Sequence, residues 1–252
     1  MSIKNLLSIA CGLLAGFVLG FILANAMSRQ ASEQSRTGEM AAAANTNTEQ
    51  SVNGGGAQST SGNTQPVLSD EEIRGAIARA DAKPDDLKLQ HDFGIALYRY
   101  QDTRFYPDVA RFLKRALDAD PGDRELTVLL GNVLFDIGQS SDPERFADAR
   151  VYYQKALEMK ADDENVRTDL GLTYFLGRPS DPQRAIAEYR KSLALNPRHE
   201  NTLQALASAL IATGHRDEAQ KRIEELQKIN PQHPALSNLR AQLAQSRNET
   251  QE

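Results

Sequence analysis

One pattern recurs four times between about Asp85 and Pro231 of this 252-residue chain. The first copy carries Phe93-Gly94, Leu97, Val109, Leu113, Ala116-Leu117 and Pro121, and the second Leu130-Gly131, Leu134, Ala149, Tyr153, Ala156-Leu157 and Ala161. The third carries Leu170-Gly171, Tyr174, Ala185, Tyr189, Ser192-Leu193 and Pro197, and the fourth Leu206-Ala207, Leu210, Ala219, Ile223, Leu226 and Pro231. The markers Gly94, Gly131, Gly171 and Ala207 lie 37, 40 and 36 residues apart. A unit of this length cannot enclose a core alone, so it buries its apolar face by stacking on its neighbours. Each unit reads as two antiparallel helices. Glycine inside a helix costs about 1 kcal/mol against alanine, so a repeated one predicts close approach of a second helix. Gly94, Gly131, Gly171 and Ala207 are assigned that role, with Ala149, Ala185 and Ala219 as small counterparts on the second helices. Prolines 121, 197 and 231 stop the second helices and turn the chain.

The pattern resembles the tetratricopeptide repeat, whose signature runs aromatic-x-x-Leu-Gly-x-x-Tyr, then Ala-x-x-x-Phe, then Pro. Three features depart from it. The leading aromatic is replaced by Gln90, Thr127, Arg167 and Leu203, and Ala161 replaces a closing proline. The first three copies also exceed the usual length of about 34 residues. The resemblance implies an all-α, right-handed solenoid of helix pairs whose first helices line a concave, peptide-binding face. Carried over position by position, that face comprises His91, Ile95, Tyr98 and Arg99, then Val128, Asn132 and Phe135. It continues with Thr168, Leu172 and Phe175, then Gln204, Ser208 and Ile211. Chaperone-type members clamp a C-terminal carboxylate with lysines and asparagines. Asn132 matches one such position, but His91 stands in place of a lysine.

The repeats are flanked by shielding elements. Ser69 followed by Glu72 is a capping box that opens a lead-in helix over 69–82, with Ile73, Ile77 and Ala80 on one face. At the far end a helix over 234–246 places Leu236, Leu239 and Leu243 on one side, closing the open face of the stack. Together these define a helical domain over 67–246, with four repeats over 85–231 and a short tail over 247–252.

From Gly94, Gly131 and Gly171 to the small position of each second helix the intervals are 15, 18 and 14 residues, against 12 in the fourth copy. The extra residues are assigned to the intra-repeat turns. Asp142-Pro143 and Asp181-Pro182 each read as an Asp N-cap followed by Pro in the first helical position. The first turn holds Tyr98, Tyr100, Phe105 and Tyr106, which either fold back onto the core or meet a partner.

Between Lys4 and Arg29 stand 24 uncharged residues. As a helix they span about 36 Å, enough for a hydrocarbon core of about 30 Å. Ala24-Asn25-Ala26 offers a signal-peptide cleavage site, but Leu6 to Ala24 is 19 residues, longer than the usual apolar core of about 7 to 15. Residues 1–28 are therefore read as an uncleaved transmembrane anchor. Gly12, Gly16 and Gly20 fall on one face of it, a groove for pairing with another membrane helix. Residues 29–66, rich in Ser, Thr, Asn, Gln, Gly and Ala, cannot bury a core and read as a disordered tether. The short polar head before the anchor resembles that of signal-anchor proteins, which implies a single-pass protein of a bacterial inner membrane with periplasmic repeats.

The formal net charge is −5, with no basic patch, which argues against nucleic acid as a partner. Cys11 is the only cysteine, so no intramolecular disulfide forms. Histidines 91, 199, 215 and 233 lack a second ligand at helical spacing, and no phosphate-cradling loop or nucleophile motif occurs. The reading is thus non-enzymatic, with no metal, cofactor or small-molecule substrate. The expected partner is a protein or peptide client, held by a membrane-anchored scaffold in envelope assembly. The layout is similar to repeat-bearing factors of bacterial c-type cytochrome maturation. The alternative is a structural homo-oligomer or complex subunit in which the groove is incidental.

Overall fold

The computed structural model describes residues 69–248, with the side chains of 247 and 248 left out. The predicted anchor with Gly12, Gly16 and Gly20, the tether and residues 249–252 lie outside the described residues. No described helix is long and apolar enough to cross a membrane.

Ten α-helices and one 3-10 turn, without strands, make up the secondary structure of the described residues. The lead-in helix α1 is Asp70–Asp81. The first pair is α2 (Leu87–Arg99) and α3 (Tyr106–Ala119), joined through a 3-10 turn at Thr103–Phe105. The second is α4 (Arg124–Ser140) with α5 (Arg145–Met159), and the third α6 (Glu164–Leu176) with α7 (Pro182–Leu195). The fourth is α8 (Glu200–Ala212) with α9 (Arg216–Ile229), and α10 (Ala235–Asn248) closes the array. Each helix packs on the next in sequence, as a one-dimensional stack requires.

Local chemistry explains the boundaries. Ser69 and Glu72 form the reciprocal capping box of α1, and Asp86, Asp123 and Asp163 cap α2, α4 and α6 through their carboxylates. The turn between repeats is one structure made repeatedly. Asp120, Asn196 and Asn230 each accept the backbone N–H two residues on, at 3.2, 3.1 and 3.2 Å, across the intervening proline.

Buried Leu113, Tyr153 and Tyr189 fill the notches left by the glycines. A methyl group added at Gly94 or Gly131 would come within 2.7 Å of Leu113 or 2.8 Å of Tyr153, and at Gly171 it would overlap the Tyr189 ring. Ala149, Ala185, Ala207 and Ala219 are fully buried, but Leu113, Tyr153 and Tyr189, one helical turn beyond the small position, are what the glycines admit. The positions of the missing aromatics have other tasks. Buried Gln90 donates to the carbonyls of Ala80 and Lys83, both at 2.9 Å, and so ties α1 to α2. Thr127 bonds the Asp123 carbonyl, Arg167 pairs with Glu188 at 2.9 Å, and Leu203 is core.

The enlarged segments differ from one another. In the second copy the added residues extend the first helix, α4 having 17 residues where α2, α6 and α8 have 13. Ile137 and Gly138 in this extension are buried, with the Phe146 ring against Gly138, so the addition is core and not turn. Asp181 caps α7 with Pro182 in its first turn. Asp142 does not start α5 in that way. Its side chain accepts the Glu144 N–H at 3.2 Å, and the helix begins only at Arg145. In the first copy Phe105 and Tyr106 are buried, so these two rings fold back onto the core.

Candidate functional site: the face of the first helices

The first helices α2, α4, α6 and α8 present their chemistry unevenly. α8 touches α6, α7, α9 and α10, and all residues from Thr202 to Ile211 are buried. Contact between α6 and α8 is closer than between α2 and α4 or α4 and α6. The face is therefore filled by protein at its C-terminal end and open at its N-terminal end.

The thirteen sequence-predicted positions divide accordingly. His91, Ile95 and Tyr98 are half-buried and Arg99 is exposed on α2; Val128 and Asn132 on α4 and Phe175 on α6 are half-buried. These seven retain surface. Phe135 has none: its ring meets Phe146 edge-on at 5.2 Å, inside the second pair. Leu172, Gln204, Ser208 and Ile211 are buried by the convergence around α8. Thr168 is buried in a hydroxyl cluster, 3.0 Å from Ser192 Oγ and 2.6 Å from Thr202 Oγ1. Phe135, Thr168, Leu172, Gln204, Ser208 and Ile211 thus serve packing between helices, and the expectation that they line an open groove is corrected.

Polar contacts fix the open part. The Tyr98 hydroxyl donates to Asp136 Oδ2 at 2.7 Å, linking α2 to α4. The Tyr106 ring lies tilted against that of Tyr98 at 5.3 Å, and burial, then the Asp136 and Asp102 charges, push its phenol up to about 12. It stays neutral at physiological pH. The Tyr153 hydroxyl donates to Asn132 Oδ1 at 2.9 Å. Asn132 Oδ1 is thereby taken as an acceptor, which leaves its amide N–H groups as donors, and the His91 ring lies 2.9 Å from Asp92.

Leu129, Asp136 and Leu176 also belong to this face, and the residue-by-residue transfer missed them. Asp136 and Leu176 each follow a predicted aromatic, as Arg99 follows Tyr98. Extending that two-residue register to all copies would have found both. Leu129 has no such signal. Of the thirteen apolar side chains left half-buried against the core, eight lie on α2, α4 and α6, and none on α8. The described residues hold no cluster of His, Cys, Asp or Glu suited to a metal ion.

Residues 179–243 match the tetratricopeptide repeat family, from the turn before α7 to the middle of α10. The paired-helix stack is shared with solved structures. The fold is that of a tetratricopeptide-repeat protein. It resembles MamA, with a TM-score of 0.51 and 23% identity over 65% of this chain and 89% of that one. It also resembles YrrB, described as a TPR protein with an unusual peptide-binding site, at a TM-score of 0.55 and 18% identity, covering 68% of this chain and 84% of that one. No curated protein matches the chain in sequence. At these identities the likeness concerns the tetratricopeptide fold alone.

Proposed function

We propose that this tetratricopeptide protein is a non-enzymatic scaffold that holds a peptide segment of a client protein against the open face of α2 and α4. The observation that carries the reading is the concentration of half-buried apolar side chains there, Ile95, Tyr98, Val128 and Leu129 among them, with Phe175 on the following α6. Such side chains gain by covering, at roughly 25 cal/mol per Å² of apolar surface removed from water. An amphipathic segment with apolar anchors fits this surface. YrrB supports the reading as a protein of like fold described with a peptide-binding site.

The finer parts of the proposal rest on sequence. The uncharged stretch 5–28 tethers the scaffold to a bacterial inner membrane, with the array in the periplasm and 29–66 as its leash. Client capture then serves envelope assembly, and the overall layout supports c-type cytochrome maturation as the setting.

The test is site-specific photocrosslinking in cells with a photoreactive phenylalanine analogue at Ile95, Val128 or Val151. Val151 is exposed on α5 and away from the first helices. One client adduct shared by positions 95 and 128 and absent at 151 supports the proposal. Identical adducts at all three, or none at 95 and 128, overturn it and leave a structural subunit as the reading.

A further inference from the structure

The repeated turn assigns one residue to start each first-type helix, two places after Pro84, Pro121, Ala161, Pro197 and Pro231. The series runs Asp86, Asp123, Asp163, His199 and His233. The three aspartates accept the N–H groups of Leu89, Leu126 and Val166 at 3.0, 2.8 and 3.0 Å. The two histidines bracket α8, and they are not equivalent.

Burial lowers the His199 imidazole below its ordinary value, but its hydrogen bonds can be kept in either protonation state. Its Nε2 lies 3.0 Å from Asn165 Oδ1, a carbonyl oxygen that accepts, so Nδ1 is the acceptor in the neutral ring. Nδ1 lies 2.5 Å from the Thr202 hydroxyl, which can turn round. A protonated Nδ1 would donate to Thr202, which would donate in turn to Thr168 Oγ1 at 2.6 Å.

His233 lacks that freedom. It is buried, and its Nδ1 accepts the backbone N–H of Ala235 at 3.2 Å in the first turn of α10. A peptide N–H only donates, so this bond exists only while Nδ1 carries no proton. A proton there also sits at the positive end of a helix. The charged group facing the ring is Glu200 on α8, whose Oε2 is 3.9 Å from Nε2 and already accepts from Asn230 at 2.8 Å. α10 brings no acid in its first turn, and Lys228 in the last turn of α9 is exposed. Burial pushes the His233 imidazole below its ordinary value and prevails over the opposing pull of Glu200.

We propose that His233 is an acid-sensitive latch: protonation at Nδ1 breaks its bond to Ala235 and releases α10 from α8. Release uncovers part of α8, whose groove positions Gln204, Ser208 and Ile211 are buried when the array is closed. The latch rests on the closing helix and does not require the client-binding reading. The sign follows from linkage. A released histidine takes up its proton near pH 6.5 and the docked one only at lower pH, so the docked form loses ground as pH falls below about 6.5. At pH 5.5 release is favoured over pH 7.5 by at most about tenfold.

The experiment is hydrogen–deuterium exchange on the full-length chain at pH 7.5 and 5.5, corrected for intrinsic exchange. Amides of α10 should lose protection at pH 5.5, by up to about tenfold, while those of α4 do not. His233→Asn, which offers an acceptor that does not titrate, should flatten the response, and His199→Asn should retain it. The latch is refuted if α10 tracks α4, or if His233→Asn preserves the pH response. Should that variant fold poorly, the ring resonances of the wild-type histidine decide: titration at or above about pH 6.5 refutes the latch, and a lower midpoint upholds it.

Discussion

Tyr153 donates to Asn132 at 2.9 Å, its ring lying in the notch left by Gly131. One repeat later Tyr189 occupies the notch of Gly171 in the same way, but Leu172 stands where Asn132 would, and the hydroxyl has no acceptor among the described residues. Equal chemistry should therefore have unequal effects. Tyr153→Phe should lower stability by about 1 kcal/mol, the net worth of an ordinary hydrogen bond. Tyr189→Phe removes a buried, unmatched polar group and should be neutral or stabilising. Urea unfolding monitored by circular dichroism measures both, and an equal loss would mean that Tyr189 has an acceptor.

The notches themselves give a graded prediction. Alanine gains about 1 kcal/mol over glycine in a helix. Overpacking costs about 1–3 kcal/mol where the neighbour cannot move. At Gly94 the nearest atom is a Leu113 methyl at the end of a flexible side chain, so Gly94→Ala should be close to neutral. At Gly131 and Gly171 the obstacle is a rigid ring held inside the stack, so alanine should lower the melting temperature at both. Thermal melts of the three variants would rank them, and a Gly171→Ala as stable as Gly94→Ala would contradict the packing described.

Asp163 makes the array acid-labile at the α4–α6 junction. Burial alone would raise its pKa. The Val166 N–H and the Arg124 guanidinium, 2.6 Å away, outweigh that and hold the carboxyl below the usual carboxylate range. Its contribution is therefore complete above about pH 4 and is lost as pH falls through the lowered folded value. Asp163→Asn keeps a neutral cap but loses the charge-assisted part of both bonds, a loss of about 1 kcal/mol at pH 7. Denaturation at pH 7 and pH 3 should show the variant's deficit shrinking in acid. A constant deficit would exclude the ionic origin.

Much of the stack was legible in the sequence because its signals are local. The capping box, the prolines that end the second helices and the Asp181-Pro182 helix start each depend on neighbours within a few positions, and the small residues recur at a regular period. What escaped depends on the third dimension. The extension of α4 by one turn has no marker in a residue count, since Ile137 and Gly138 suit a loop or a buried helix equally until Phe146 is placed against them. The six groove positions that proved buried escaped for the same reason. Carrying family positions onto Leu172 or Ser208 presumes equal separation of the first helices, and the approach of α6 and α10 to α8 is set by side chains far apart in sequence.

That distinction separates binding from folding at two positions of α4 that are two turns apart. Phe135 is fully buried against Phe146, and an aspartate there would be an unpaired buried charge. Phe135→Asp should cost more than about 4 kcal/mol and unfold the second pair, so loss of client binding by that variant would be uninformative. Val128 is half-buried on the open face, and Val128→Asp keeps its carboxylate in water at a stability cost of about 1 kcal/mol. Under client capture it should abolish the crosslink formed from position 95 while leaving the circular dichroism spectrum and melting curve close to wild type. A Val128→Asp protein that folds and still yields the same adduct would show that the client does not rest on α4.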